Sequence, residues 1–199
     1  MILTVQQKYE LDLPALWREL PPASVMENDG WIFEWVDEMT ISVECKEDLL
    51  ESLGYAASFA MGKMTPGRSW VAIIDPARGL VRAMASIVTI DLSDDFFPEY
   101  YTVSTPALPV EGAVSWNAQT TDATLAGHPA VVVHEVAAYN FDEDGPVISE
   151  RYVGTVFPDT SNTVVQLEIL AEDLESFADI VATGNAVLGG LRFADPELD

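Results

Sequence analysis

The sequence predicts a single α+β domain, and three features of its 199 residues support that prediction. The last third contains three apolar runs of strand length, followed by one segment with helical periodicity. The apolar fraction of 49% is enough for a hydrophobic core and too high for a disordered chain. Because the length suits one domain, we predict a single unit over residues 1–199, with residues 1–22 peripheral to it.

The N-terminal third is predicted to form a helical turn, a β-hairpin and a short helix. LPALWREL, which ends at a Pro-Pro pair, predicts the helical turn. After the turn signal NDG, WIFEWV places Trp31, Phe33 and Trp35 on one face of a strand. MTISVEC alternates apolar and polar residues and predicts the second strand of the hairpin. KEDLLESLG predicts a helix that ends at Gly54.

Strands dominate the prediction for the rest of the chain. SWVAII and GLVRAMASIVTIDL are joined by DPARG, in which Pro76 and Gly79 favour a turn. The second of these runs is apolar on both faces, which favours an interior position in a sheet. PAVVVHEVAAYNF, ERYVGTVF and NTVVQLEIL predict three more strands, the last with Val165, Leu167 and Ile169 facing the core. EDLESFADIVATGNAVLGG predicts an amphipathic helix, and LRF a short closing strand.

The charge of the chain is strongly acidic. It has 33 acidic and 9 basic residues, for a formal net charge of −24, and residues 83–150 contain no Lys or Arg. Such a surface repels nucleic acid and anionic membranes, both of which require basic patches. It attracts cations or a basic partner protein. Solubility, or adaptation to high internal salt, explains the same composition equally well.

The sequence favours a cytoplasmic location. No apolar run approaches the roughly 18 residues that a membrane-spanning helix needs. The start MILTVQQKYELDLP lacks the basic and apolar regions of a signal peptide. Cys45 is the only cysteine, so no internal disulfide forms, and its place on an apolar strand face suits a small hydrophobic residue.

No motif in the chain predicts catalysis, and we expect no catalytic residue, no cofactor and no metal. The nucleophile elbow GxSxG, glycine-rich phosphate loops and CxxC are absent. His128 and His134 would stand roughly 20 Å apart on a straight strand, too far apart to share a metal ion. An acid/base pair of carboxylates cannot be identified among 33 candidates.

The stretch AYNFDEDGPVISER partly matches a calcium-binding EF-hand loop. Asn140, Asp142, Asp144 and Gly145 occupy its first, third, fifth and sixth positions. The twelfth position, where the motif needs a bidentate Glu, is Arg151, and the flanking segments read as strands rather than helices. We therefore predict a hairpin loop here instead of a calcium site.

Two acidic segments are predicted to bind a partner. The first is a proline-containing loop in which aromatic residues accompany the acids, a combination that often anchors protein interfaces. The second is the tip of the predicted acidic hairpin. The predicted partner-binding residues are Asp94, Asp95, Phe96, Phe97, Tyr100, Tyr101, Asp142, Glu143 and Asp144.

The C-terminal half carries a family resemblance. The strand entry GHPA at 127–130, two further strands, the late helix and LRF at 191–193 resemble PsbP-like, Mog-type α/β/α sandwich domains over about residues 110–195. The resemblance implies a central antiparallel sheet with helices on both sides. Members include a Ran-binding nucleotide-release factor and a photosystem II subunit, so the resemblance implies no catalytic residues. The lipoprotein members differ in having a signal sequence and a lipidation cysteine.

From these observations we expect a non-enzymatic protein-binding or adaptor domain, of the kind found in immunity proteins and secretion chaperones. A basic protein is the partner that matches its charge. The alternative is a small-molecule-binding protein, or a small hydrolase, that uses carboxylates in a cleft over the sheet. The sequence leaves the oligomeric state open.

Overall fold

The secondary structure alternates between a helical N-terminal part and a long series of strands. A computed structural model describes residues 9–39, 43–62, 67–92, 113–140, 146–159 and 163–193. The helices are α1 (Ala23–Met26), α2 (Gly30–Glu38), α3 (Val43–Met61) and α4 (Ile180–Gly189). The strands are β1 (Tyr9–Glu10), β2 (Arg18–Glu19), β3 (Gly67–Asp75), β4 (Leu80–Asp91), β5 (Ala113–Leu125), β6 (His128–Asn140), β7 (Pro146–Val156), β8 (Thr163–Ala171) and β9 (Arg192–Phe193).

Most of the strands form one antiparallel sheet, in the order β2-β3-β4-β8-β7-β6-β5. β1 and β9 pair separately. Within this sheet, strands that are consecutive in the sequence are hydrogen-bonded neighbours, except for β4 and β5. β4 pairs with β8 instead, and β5 occupies one edge. With four helices assigned in the described residues, the fold belongs to the α+β class.

Helices pack against both faces of the sheet. Trp70 is paired with Ala85 and the next pair is Val71 with Met84, so alternation sends the two pairs to opposite faces. The first face shares a core with α4, and the second shares a core with α2 and α3. Each fully buried Leu in these cores contributes about 1.5–3 kcal/mol of hydrophobic free energy.

α3 is fixed to the turn between β3 and β4 by polar contacts. The Cys45 thiol donates to the carbonyl of Ala77 at 3.5 Å, and the amide of Val81 donates to the Ser52 hydroxyl at 2.7 Å. Gly79 has φ of 67°, and a Cβ there would lie 2.7 Å from the Cys45 carbonyl oxygen. The predicted need for glycine in this turn is confirmed.

α4 is fixed to the sheet by the ring of Tyr152. A Cβ added at Gly184 would lie 2.4 Å from this ring, and one at Gly154 would lie 2.3 Å from its hydroxyl. The two glycines therefore make the space that the ring occupies. The hydroxyl donates to Asn185 Oδ1 at 2.9 Å, and Asp179 caps the helix by accepting from the amide of Ala182 at 2.8 Å.

The strands predicted for the chain after α3 are confirmed. β3, β4, β6, β7, β8 and β9 cover the runs assigned to strands, and β4 lies inside the sheet as expected. Val165, Leu167 and Ile169 are all fully buried. β5 was not predicted, because exposed polar residues fill its middle and hide any apolar alternation.

The predicted strand WIFEWV is wrong, because these residues lie in α2. The helix buries Trp31, Ile32, Trp35 and Val36, a spacing of one helical face, and leaves Phe33 56% exposed. Trp31 and Trp35 pack edge to face with ring centroids 5.0 Å apart. The three aromatic residues placed on one strand face are thus split between core and surface.

The second strand of the predicted N-terminal hairpin, MTISVEC, is wrong where it can be compared. α3 begins at Val43, and residues 40–42 lie outside the described ranges. The predicted helix that follows is confirmed, but it does not end at Gly54. It continues to Met61, because Leu49, Leu53, Ala56 and Ala57 bury one helical face against the sheet.

Two predicted helix boundaries are also corrected. In LPALWREL a single turn closes with Trp17 N donating to the Pro14 carbonyl at 3.0 Å, and the chain then enters β2. The C-terminal helix begins at Ile180 rather than near residue 172. Residues 172–178 form bends instead, because the Asp173 carboxylate accepts from the amide of Glu175 at 2.8 Å and competes with helical pairing.

Candidate functional site

The residues predicted to bind a partner lie outside the described ranges. Asp94, Asp95, Phe96, Phe97, Tyr100 and Tyr101 fall in 93–112, and Asp142, Glu143 and Asp144 fall in 141–145. The flanks of the second segment are described: β6 and β7 are antiparallel neighbours, with Asn140 opposite Pro146. The prediction that strands rather than EF-hand helices enclose this segment is confirmed.

The described helices form a candidate site of their own, which we call the α2–α3 groove. It is lined by Asp29, Ile32, Phe33, Leu50 and Gly54 and encloses about 170 Å³. Its walls are largely apolar, because Ile32 is buried, Leu50 is half-buried and the exposed ring of Phe33 stands at the edge. Phe33 thus offers exposed apolar surface beside the recess.

Gly54 leaves the floor of this groove open. A Cβ at this position would meet nothing within 4 Å. The residue lies inside α3, where glycine costs roughly 0.5–1 kcal/mol relative to alanine. No described residue occupies the space of the missing side chain, so this space is open to the groove.

Exposed carboxylates are in excess on the segments that form the groove, and one of them, Asp29, lies in its lining. Two of those on α2 are neutralised: Asp37 accepts from Lys46 at 3.2 Å, and Glu38 accepts from Arg18 at 2.6 Å. Arg18 also stacks on the ring of Trp35 at 3.8 Å, which fixes its position. Five exposed carboxylates have no ion-pair partner within the described residues: Asp29, which precedes α2, Glu34 on α2, and Glu47, Asp48 and Glu51 on α3.

A second, smaller cleft lies on the opposite face of the sheet, beside α4. It encloses about 120 Å³ and is lined by Gln119, Thr121, Ala123, Val132, His134, Val181 and Asn185. This volume is well below the roughly 300–1,000 Å³ of sites that bind drug-sized ligands. The cleft can hold a few water molecules or a small fragment.

His134 is the titratable group of this cleft. Its Nε2 lies 2.8 Å from Glu150 Oε1, and the two side chains are 25% and 14% exposed. This contact with the carboxylate fixes the orientation of the imidazole ring. Nearby, burial raises the pKa of the Tyr152 phenol well above its ordinary value, so it stays protonated and donates to Asn185.

His128 has different neighbours from His134. Its Nδ1 lies 3.7 Å from Asp159 Oδ2, and its ring meets Phe193 edge to face at 5.2 Å. In the described ranges, His, Cys, Asp and Glu side chains form no group of three or more arranged to hold a metal ion. Nor does any helix there have the length and apolar character to cross a membrane.

Arg151 holds together a polar cluster on the face of the sheet away from α4. It donates to Glu168 at 2.8 Å and lies 3.5 Å from Glu135, and all three side chains are less than 20% exposed. A half-buried cation between two carboxylates is a structural ion-pair network, since removing one charge leaves the others uncompensated. It does not open onto either cleft.

Comparison with known proteins shows the fold and leaves the family open. No protein-family model matches the chain, and no curated sequence matches it. Among solved structures, it is similar to LpqN, a protein involved in cell envelope biogenesis of Mycobacterium tuberculosis. The similarity has a TM-score of 0.51 at 15% identity and covers 97% of this chain and 88% of that one. At this identity the likeness concerns the fold alone.

Proposed function

We propose that this chain is a non-enzymatic protein-binding or adaptor domain whose α2–α3 groove takes a basic partner. The observation that carries the proposal is the excess of exposed carboxylates on the two helices that form an apolar recess, with Asp29 in its lining. Two of the nine basic residues, Arg18 and Lys46, are already paired with acids at this surface. The electrostatic field of the unpaired carboxylates attracts cations, and the recess supplies apolar area for a specific contact.

The position of the acids supports this use of the groove. Glu47 and Glu51 are one turn apart on α3, on the side of the helix that carries Leu50 and Gly54. Asp29 lies in the lining itself. Rim charges of this kind chiefly raise the rate of association and make binding depend on salt. They also disfavour acidic partners, which gives the surface selectivity.

The scaffold beneath the groove supports a preformed site. α3 is bonded to the β3–β4 turn through Cys45 and Ser52, and α2 is joined to α3 by the Lys46–Asp37 pair. A surface that is already ordered loses little conformational entropy on binding. We also propose the finer fold assignment, an α/β/α sandwich of the PsbP-like kind, which the placement of α3 and α4 on opposite faces supports.

Charge reversal on α3 tests the proposal. The double variant Glu47→Lys/Glu51→Lys is compared with Glu10→Lys/Glu175→Lys, which makes the same change in net charge at exposed positions away from the groove. Each protein is used as bait in the source lysate over a salt series. We expect a basic protein to be retained by the wild type and the control, released as salt rises, and lost from the α3 variant.

Equal capture by the two double variants would show that total charge, and not this surface, governs retention. That result would contradict the assignment of the site. Loss of capture from both variants would contradict it as well, because the control leaves the groove intact.

A second candidate function is the binding of a small molecule at the His134 cleft. The observation in its favour is the His134–Glu150 pair beside the amides of Gln119 and Asn185. Screening small polar fragments by NMR, with the ring resonances of both histidines as reporters, tests it. A fragment that shifts His134 and leaves His128 unchanged would support the site, and a screen without such a fragment would count against it.

A further inference from the structure

We infer that the α2–α3 groove is an anchor site for one bulky apolar side chain, presented by a basic amphipathic helix of the partner protein. This inference rests on the proposed function and adds what the partner must carry. Three features of the groove lead to it: its volume, the open position at Gly54 and the placement of the acids around it.

The volume of the groove fits one side chain. About 170 Å³ is close to the roughly 150 Å³ of an engineered apolar cavity that accepts benzene. A single Leu, Met, Phe or Trp side chain therefore fits, whereas two do not. Interfaces commonly derive most of their affinity from a few such anchors in desolvated recesses.

The walls of the groove suit an apolar anchor. Leu50 and Gly54 are four residues apart on α3, so they line one stripe of its surface. Ile32 and Phe33 supply the opposing apolar wall from α2. An inserted side chain would cover exposed area of Phe33 and contact the helix at Gly54, where no Cβ intervenes. Removal of this apolar surface from water makes the contact favourable.

The acids define the rest of the partner segment. Glu47 and Glu51 flank the stripe on α3, and Asp29 lies in the lining near α2. A helix carries side chains about 5–6 Å apart at i±3 and i±4, so Lys or Arg at those positions would face the acids while the anchor enters the groove. A second copy of this chain does not fit, because its equivalent surface bears the same negative charges.

Synthetic peptides and groove variants test the inference. The probe is a fluorescein-labelled helical peptide of alanine and lysine with one central tryptophan, and its match has alanine in place of the tryptophan. Binding is measured by fluorescence anisotropy. The protein variant Gly54→Leu fills the groove, and Gly189→Leu is its control, since a Cβ at Gly189 on α4 also meets nothing within 4 Å.

We expect the tryptophan peptide to bind the wild type and Gly189→Leu at least 10-fold more tightly than the alanine peptide. Gly54→Leu should lose that 10-fold advantage and bind the two peptides equally. Gly54→Ala, which fills less of the groove, should lose part of it. Thermal unfolding of each variant checks that the fold is intact.

Two results would overturn the inference. If Gly54→Leu keeps the full preference for the tryptophan peptide, the groove is not the anchor site. If the wild type is a dimer that Gly54→Leu dissociates, the groove belongs to a second copy of the chain.

The proposed function fails separately. It would be contradicted if Glu47→Lys/Glu51→Lys bound the tryptophan peptide as tightly as the wild type. If the charge-reversed variant still preferred the tryptophan peptide, the groove would remain the apolar anchor site. The acidic residues of α3 would then have no part in binding.

Discussion

Two helix glycines mark the difference between the two helical layers of this protein. A Cβ at Gly184 of α4 would collide with the Tyr152 ring at 2.4 Å, whereas one at Gly54 of α3 would enter open space. Both residues carry the entropic cost of a glycine inside a helix. At Gly184 the cost is offset because a large aromatic ring is buried between helix and sheet. At Gly54 nothing within the described residues offsets it.

The surroundings of a helix glycine indicate its structural role. A helix glycine belongs to the core when a neighbouring residue occupies the space of its missing side chain, and substituting it then disturbs packing. A glycine beside an empty apolar recess keeps that recess accessible, and substituting it costs the fold nothing. The core beneath α4 is thus closely packed at Gly184, whereas the surface of α3 is open at Gly54.

The largest change in stability is expected for substitution of Gly184, where the Tyr152 ring occupies the space of the missing side chain. Gly184→Ala should lower the free energy of unfolding by about 1–3 kcal/mol, because the added methyl group overlaps the Tyr152 ring. Urea denaturation measures this change. Gly189→Ala, on the same helix in open space, is the control and should not destabilise the protein. Equal stability of the two variants would show that α4 does not pack as tightly as this geometry requires.

An intermediate effect is expected at the segment that leads into α4. The Asp173 carboxylate accepts from both Arg82 and Ser176, and Asp173→Asn should lower the free energy of unfolding by about 1 kcal/mol. Burial acts to raise the pKa of Asp173, but the hydrogen bonds from Ser176 and Arg82 outweigh it and hold this pKa below its ordinary value.

The direction of the pH dependence follows from that shift. A carboxyl group with a lowered pKa stabilises the fold above its unfolded pKa, and this contribution is lost as the pH falls through the folded pKa. The difference in stability between wild type and Asp173→Asn should therefore shrink between pH 7 and pH 3. A difference that stays constant on acidification would argue against the ion pair.

The smallest change in stability, and one of opposite sign, is expected for substitution of Gly54. Gly54→Ala should raise the free energy of unfolding by about 0.5–1 kcal/mol, since the methyl group meets no neighbour and alanine favours the helix. Thermal and urea unfolding both report it. A destabilised Gly54→Ala protein would mean that the groove is closed in solution, and the contrast between the two layers would disappear.

The sheet could be predicted from the sequence because its alternation is unambiguous. In β8, Val165, Leu167 and Ile169 face a core that buries them completely. Only a strand places every second residue on one face, so the pattern has one solution. The turn at Gly79 was predictable for a similar reason, because positive φ favours glycine.

The helix α2 could not be predicted because the apolar pattern of its sequence fits both a strand and a helix. Positions 31, 33 and 35 of WIFEWV suit a strand, and positions 31, 32, 35 and 36 suit a helix. The choice depends on tertiary packing, in which Trp31 and Trp35 join Leu49 and Leu53 in one cluster. A six-residue window does not contain that information.

The acidity of the site was predictable and its location was not. A groove forms only when two helices lie side by side, and the sequence did not predict α2 as a helix. Phe33 was consequently placed on a strand face with Trp31 and Trp35, and Gly54 at a helix end. The helical spacing of residues 31, 32, 35 and 36 agrees with an exposed Phe33, but only the packing of α2 against α3 favours it over the strand pattern. The nine partner-binding residues from Asp94 to Asp144 stay a prediction.

β5 has a consequence for how the protein behaves in concentrated solution. It pairs with β6 and forms one edge of the sheet, and residues 116–122 are exposed, including a Trp116 that is 59% exposed. An edge strand is a template on which another molecule can add a strand. Charge repulsion between copies opposes this at neutral pH and vanishes near the isoelectric point of about 4.1. Acidification towards this pH should therefore favour edge-to-edge association of the folded protein.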